Sequence, residues 1–220
     1  MNSNLTYLVF VVDRSGSMTT IAKDMIGGFN SYIKQQRDAK LGACKVFFYQ
    51  FDTAYERVYE ATDLDSVPVL TDKTYIPRGG TALYDSLGKT ITELGTRLAN
   101  LPEDERPGKV LVITITDGED NARLDSEDTF YSSVKVKEMV QHQTDTYKWD
   151  FVYIGANQDA WAVGGSTGHK GSTSLNYVAT AAGTAVMFDK LSKSSVKYRS
   201  VVSGPKADFA FDEEDHAPTP

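Results

Sequence analysis

The chain has 220 residues, 40% of them hydrophobic, which suffices for one domain of ordinary size with a substantial core and is tight for two. Acids outnumber bases 30 to 23, a formal charge of −7. This balance argues against nucleic acid or an anionic membrane as the partner, because phosphate affinity rests on concentrated Lys and Arg. The single cysteine, Cys44, excludes an intramolecular disulfide framework and any multi-cysteine zinc or iron–sulfur site.

In chain order, residues 5–12 (LTYLVFVV) form the first continuously apolar, β-branched run. A strand with one wet face alternates apolar and polar residues; this one does not, so it predicts a strand covered on both faces, as in a parallel sheet between helices. The run is short for a signal-peptide core, has no basic leader and ends at Asp13. No run approaches the ~20 residues of a membrane span, so the expectation is a soluble, cytoplasmic protein. Ile21, Met25, Phe29 and Ile33, each four apart, draw the stripe of a helix over 19–37. Residues 46–49 (VFFY) read as a second buried strand with Cys44 an inert thiol at its entry. Residues 51–59 read as a tight turn feeding a short antiparallel edge strand, since a parallel crossover takes a dozen or more residues.

The stripe Leu83, Leu87, Ile91, Leu94 and Leu98 predicts the strongest helix, and residues 109–115 (KVLVITI) a third buried strand. The alternation continues with a helix around 127–143, a strand at 149–154, a short helix around 158–164, a last strand near 175–178 and a helix around 181–194. The class is a doubly wound, mostly parallel α/β sheet with right-handed crossovers and helices on both faces. The domain is placed at residues 1–199. Residues 200–220 are expected to be an acidic, loosely ordered tail, residues 206–220 holding five acids and one base.

In open sheets of this class ligands bind beyond the carboxyl ends of the strands, where strand order reverses. Three segments at predicted strand-to-helix transitions collect small oxygen-bearing side chains beside glycines: Asp13-Arg-Ser15-Gly-Ser17, Arg78-Gly79-Gly80-Thr81, and Thr116-Asp117-Gly118. Hydroxyls and carboxylates without histidine or thiolate suit a hard cation. With only two obvious carboxylates, Asp13 and Asp117, the protein would under-ligate the ion. Magnesium tolerates that by keeping waters, one of which an oxygen from a partner could replace; manganese and calcium are the alternatives. Singly, each segment has a plainer reading as an Asx turn, a helix cap or a tight turn.

In conjunction, the three loops resemble the metal-ion-dependent adhesion site of von Willebrand factor type A domains, and their order and spacing match over roughly residues 5–195. The resemblance implies a six-stranded sheet with the first and fourth strands flanking a metal. It implies that Asp13, Ser15, Ser17, Thr81 and Asp117 are direct or water-mediated ligands, and that a carboxylate of a protein partner completes the coordination. A compact chain of this kind resembles stand-alone bacterial or phage members, which act as adaptors or assembly factors in intracellular complexes.

Glu119, Asp120, Asn157 and Asp159 are candidates for a partner-binding rim, with a solvated loop, a turn and a helix cap as their plainer readings. Residues 164–168 are glycine-rich but lack the lysine of a phosphate loop. His142, His169 and His216 lie in separate contexts, and none is placed to activate Ser15 or Ser17, so a hydrolase triad has no support. The function read from the sequence is therefore a cation-dependent binding module rather than an enzyme. The alternative is a metal-assisted phosphohydrolase using Asp13 and Asp117, which lacks both an Asp-x-Asp nucleophile pattern and a general base. A further idea is that acids 212–215 supply a carboxylate to this site or to that of a neighbouring copy, with a solubilising tail as the plainer reading.

Overall fold

The structure is a computed structural model, described here for residues 1–125, 130–156, 159–201 and 208–216; of Trp161 and His216 only the backbone is described. Asn157 and the start of the helix expected at 127 lie outside the described residues.

Five strands run parallel: β1 (Asn2–Asp13), β2 (Cys44–Phe51), β4 (Pro107–Thr116), β5 (Asp150–Ala156) and β6 (Ser174–Tyr177). β3 (Tyr55–Asp63) pairs antiparallel with β2 at the edge, as its short connection requires, giving the order β3-β2-β1-β4-β5-β6. Beyond β1 the chain crosses outward to β2, and beyond β4 it crosses the other way to β5. The loops leaving β1 and β4 therefore diverge and open a crevice at their carboxyl ends.

The apolar runs are buried on both faces for the reason their composition predicts. Leu8, Phe10 and Val12 of β1 face α1 (Ala22–Asp38) and α5 (Ala181–Ser200), while Tyr7, Val9 and Val11 face α2 (Leu83–Ala99) and α3 (Ser133–Tyr147). Every member of the Leu83 to Leu98 stripe is buried. Each such side chain contributes about 1.5–3 kcal/mol by leaving water. α1 and α5 approach closely because Gly28 leaves a notch for Phe188: a Cβ there would lie 2.1 Å from a carbon of that ring.

Several boundaries differ from the expectation. The first helix enters through a 3-10 segment, Gly16–Ile21, before α1. α3 starts at Ser133, where the Ser132 hydroxyl accepts from the Lys135 amide at 3.2 Å, a side-chain cap that stops the helix extending towards 127. α4 is Ala160–Ser166, and α5 continues to Ser200 rather than ending near 194.

The expected loose tail is corrected for residues 208–216. Phe209 and Phe211 are buried in the α1/α5 core. The Phe209 amide donates to Asp150 Oδ1 at 3.1 Å and the Phe211 amide to the Ser172 carbonyl at 3.0 Å. Two aromatics spaced two apart outweigh the acidity around them. Of the acids 212–215, Asp212 pairs with Lys197 on α5 and Asp215 Oδ2 accepts from the Asp212 amide at 3.1 Å, while Glu213 and Glu214 are exposed. They do not contact Asp13 or Asp117.

At the amino ends of the strands two cations are buried. Lys109 donates to the carbonyls of Tyr198 and Val201. Arg199 donates to the Gln36 and Gly42 carbonyls and to Gln36 Oε1. Among the described residues no helix is long and apolar enough to cross a membrane.

Candidate metal centre

β1 carries its last residue, Asp13, to full burial at the crevice. There Asp13 Oδ1 accepts from the Ser15 amide and Oδ2 from the Thr116 hydroxyl, both at 2.6 Å, while its carbonyl accepts from the Tyr75 hydroxyl at 2.5 Å. The Asx turn expected of Asp13 thus exists, and it is what brings Ser15 back over the strand end. Ser15 Oγ lies 3.0 Å from Ser17 Oγ, and Ser17 Oγ donates to Asp117 Oδ1 at 2.7 Å. The hydroxyls of the first loop therefore bridge the aspartates that end β1 and follow β4.

Thr81 closes the third side. A Cβ built on Gly118 would lie 3.8 Å from Thr81 Oγ1, which places that hydroxyl beside the Asp117-Gly118 turn. Asn121 fixes the approach, its Oδ1 accepting from the Thr81 amide at 2.8 Å while its own amide donates to the Thr81 carbonyl at 3.0 Å. Gly79, at φ +65°, supplies the left-handed turn that brings its carbonyl to the Gly16 amide at 3.1 Å. All five residues named from the sequence are thus gathered at one end of the sheet, with Gly16 and Ser17 on the exposed side.

The electrostatics single out the two aspartates. Burial pushes the Asp13 carboxyl up to about 6 against the hydrogen bonds from Thr116 and Ser15, and the charge of Asp117 adds to the rise. Burial also raises Asp117, opposed by the Ser17 hydroxyl. Neither has a guanidinium or ammonium partner among the described residues. Buried carboxylates without a counter-charge cost free energy.

A divalent cation fits this donor set: the groups offered are all hard oxygens, and the two buried charges match its own. Among the described residues no group of three or more His, Cys, Asp and Glu is gathered, so the centre offers two carboxylates and no more.

The rim candidates fare unequally. Glu119 is exposed beside the centre. Asp120 is turned instead to α2, its Oδ1 accepting from the Tyr84 amide at 3.0 Å, and Asp159 accepts from the Ala162 amide at 3.2 Å in the first turn of α4. Both are therefore satisfied by orphan helix N–H groups, their plainer reading.

Several residues that shape the site were missed in the sequence. Thr116 orients Asp13. Asp85, fully buried, accepts from the Tyr131 and Leu124 amides at 2.7 and 3.2 Å and from Arg123, pinning the loop that follows Asp117. Asp52 receives Arg14 and Arg78 from the flanking loops. Only Thr116 had a usable signal, as a hydroxyl one residue before a candidate ligand; the others depend on contacts between distant loops.

Neither described histidine side chain joins the centre. His142 packs on Tyr147 of its own helix, and His169 is buried with Nδ1 at 2.9 Å from the Thr167 hydroxyl, burial bringing it down to about 4.

No family model and no curated protein matches the sequence. Solved structures do match. The vWF domain of the type V pili tip protein Mfa5 from Porphyromonas gingivalis superposes with a TM-score of 0.61 at 13% identity, over 93% of this chain and 98% of that one. The fold is that of a von Willebrand factor type A domain. The ArnB paralog VWA2 from Sulfolobus acidocaldarius shares this A-domain fold at a TM-score of 0.52 and 16% identity, over 91% of this chain and 46% of that one. So does proximal thread matrix protein 1 from the mussel byssus, in a structure with a zinc-occupied MIDAS motif, at a TM-score of 0.56 and 14% identity, over 87% of this chain and 46% of that one. The chain thus spans less than half the length of these last two A-domain proteins.

Proposed function

We propose that the chain is a divalent-cation-dependent protein-binding module. Asp13, Ser15, Ser17, Thr81 and Asp117 hold the ion directly or through water, and an Asp or Glu side chain of a partner protein completes the coordination. The observation that carries this reading is the buried pair Asp13 and Asp117, short of positive charge and joined through serine hydroxyls. The A-domain fold and the zinc-occupied MIDAS motif of the mussel protein support it.

The cation would supply the missing charge and one exchangeable coordination position. Because Ser15, Ser17 and Thr81 are neutral, they leave that charge less quenched than a third carboxylate would, which favours an incoming acid. Thr116 and the Ser15 amide hold Asp13 in place, so little has to reorganise on loading. Magnesium is the first choice for a site with so few charged ligands, followed by manganese and calcium. An adaptor or assembly role in a cytoplasmic complex belongs to the same proposal; the one cysteine, a buried free thiol, is compatible with a reducing compartment.

Calorimetric titration with magnesium, manganese and calcium tests the reading. One saturable site is expected in the parent protein and none in Asp13→Ala or Asp117→Ala, with far-UV dichroism unchanged. Equal binding by both variants would refute the site. Phosphatase turnover with magnesium that disappears in Asp13→Ala would replace a binding role with a hydrolytic one.

A further inference from the structure

The flank of the centre nearest β2 is built differently from the flank nearest β4. Asp52, 1% exposed in the turn after β2, receives two guanidinium groups on one oxygen: Arg14 Nε at 2.9 Å and Arg78 Nε at 2.8 Å. Arg14 is buried and is also paired with Glu56. Arg78 is held only at its root. Its side chain is 60% exposed, and neither terminal nitrogen has a partner among the described residues.

The backbone sets this guanidinium beside the centre. The Arg78 amide donates to the Arg14 carbonyl at 2.7 Å and the Gly16 amide to the Gly79 carbonyl at 3.1 Å. Residues 78–79 therefore lie along 14–16, the loop that carries Ser15. Across the centre, on the β4 side, Glu119 is exposed, while Asp85 is buried and paired with Arg123 and Asp120 is turned to α2. The exposed charge beside the centre is thus an open guanidinium on the β2 side, where Glu56 is committed to Arg14, and one acid, Glu119, on the other.

We propose that Arg78 receives a second carboxylate, so that the partner presents a doubly acidic segment: one acid at the cation and the next lying towards β2. This rests on the metal-dependent reading above and names the partner's chemistry. A guanidinium has five donors in one plane, and the bond from Nε to Asp52 orients that plane, leaving the terminal pair to take a carboxylate side by side. Less side-chain freedom is lost on binding when the fork is already anchored. An acid directed the other way would meet Glu119.

The test is an NMR titration of the full chain in magnesium with two blocked glycine peptides, one bearing a single aspartate and one bearing two, adjacent or one residue apart. The second aspartate should tighten binding by about two- to fivefold, the range of an exposed ion pair. That gain should vanish in Arg78→Gln and survive in part in Arg78→Lys, with the single-aspartate affinity the same in all three. No gain in the parent protein, or a gain that persists in Arg78→Gln, overturns the proposal. A single-aspartate affinity indifferent to chelator overturns the metal-dependent reading instead, and that outcome is visible without any Arg78 variant.

Discussion

The two ends of the sheet both bury charge, and they neutralise it differently. At the amino ends of the strands Lys109 and Arg199 are met by carbonyls in the last turns of α5 and α1, where the helix dipole is negative, and by those of Val201 and Gly42 just beyond. At the carboxyl ends Asp52 is met by two arginines and Asp85 by backbone amides and Arg123. At the same end, among the described residues, Asp13 and Asp117 have hydroxyls, an amide and each other's charge but no base. The quenched charges hold the fold together; the two without a counter-charge are the pair on which the proposed cation site rests.

The comparison can be broken most forcefully at Asp13 and Arg199. Asp13→Asn should lower cation affinity by more than the about 10- to 100-fold that outer partners of a metal are worth, yet make the cation-free protein more stable by about 1–3 kcal/mol, because a buried charge is removed. Arg199→Leu should do the reverse, costing about 2–4 kcal/mol in urea denaturation by leaving carbonyls unpaired, with cation affinity untouched. Loss of stability in Asp13→Asn, or loss of cation binding in Arg199→Leu, would erase the distinction between the two ends.

Titration sharpens it. The Asp13 carboxyl, raised to about 6 from the usual value near 3.8, gives the cation-free fold stability that is fully present below the lower value and lost as pH rises through the upper one. The stability difference between Asp13→Asn and the parent should therefore grow from pH 4 to 6 and level off above. His169, lowered to about 4, has the opposite sign: the fold gains stability as pH rises from 4 towards 6.5, by up to about 3 kcal/mol, and His169→Gln should flatten that slope. The smallest effect on cation affinity is expected for Thr116→Val, which keeps the shape but removes the donor to Asp13; affinity should fall by about tenfold, and the cation-free fold should lose about 1–3 kcal/mol above pH 6.

The elements were legible in the sequence where periodicity is unambiguous. The apolar runs of β1, β2, β4 and β5 and the stripe from Leu83 to Leu98 need no tertiary information, and the three hydroxyl-bearing loops follow from where those elements end. Asp120 was harder, because an acid after a candidate ligand looks like rim until α2 is seen to begin against it. Arg14 and Arg78 were invisible for a similar reason: their shared partner, Asp52, lies 38 and 26 residues away in other loops. Phe209 and Phe211 were hidden by their acidic neighbours, since composition averages over a segment and packing does not.

The notch at Gly28 fixes how the last helix sits on the first. With the Phe188 ring seated where a side chain would otherwise stand, α5 cannot creep along α1 by fractions of an ångström; the ring must first lift out. α5 is therefore keyed to α1 at one position, and filling the notch, as in Gly28→Ala, would have to displace that ring.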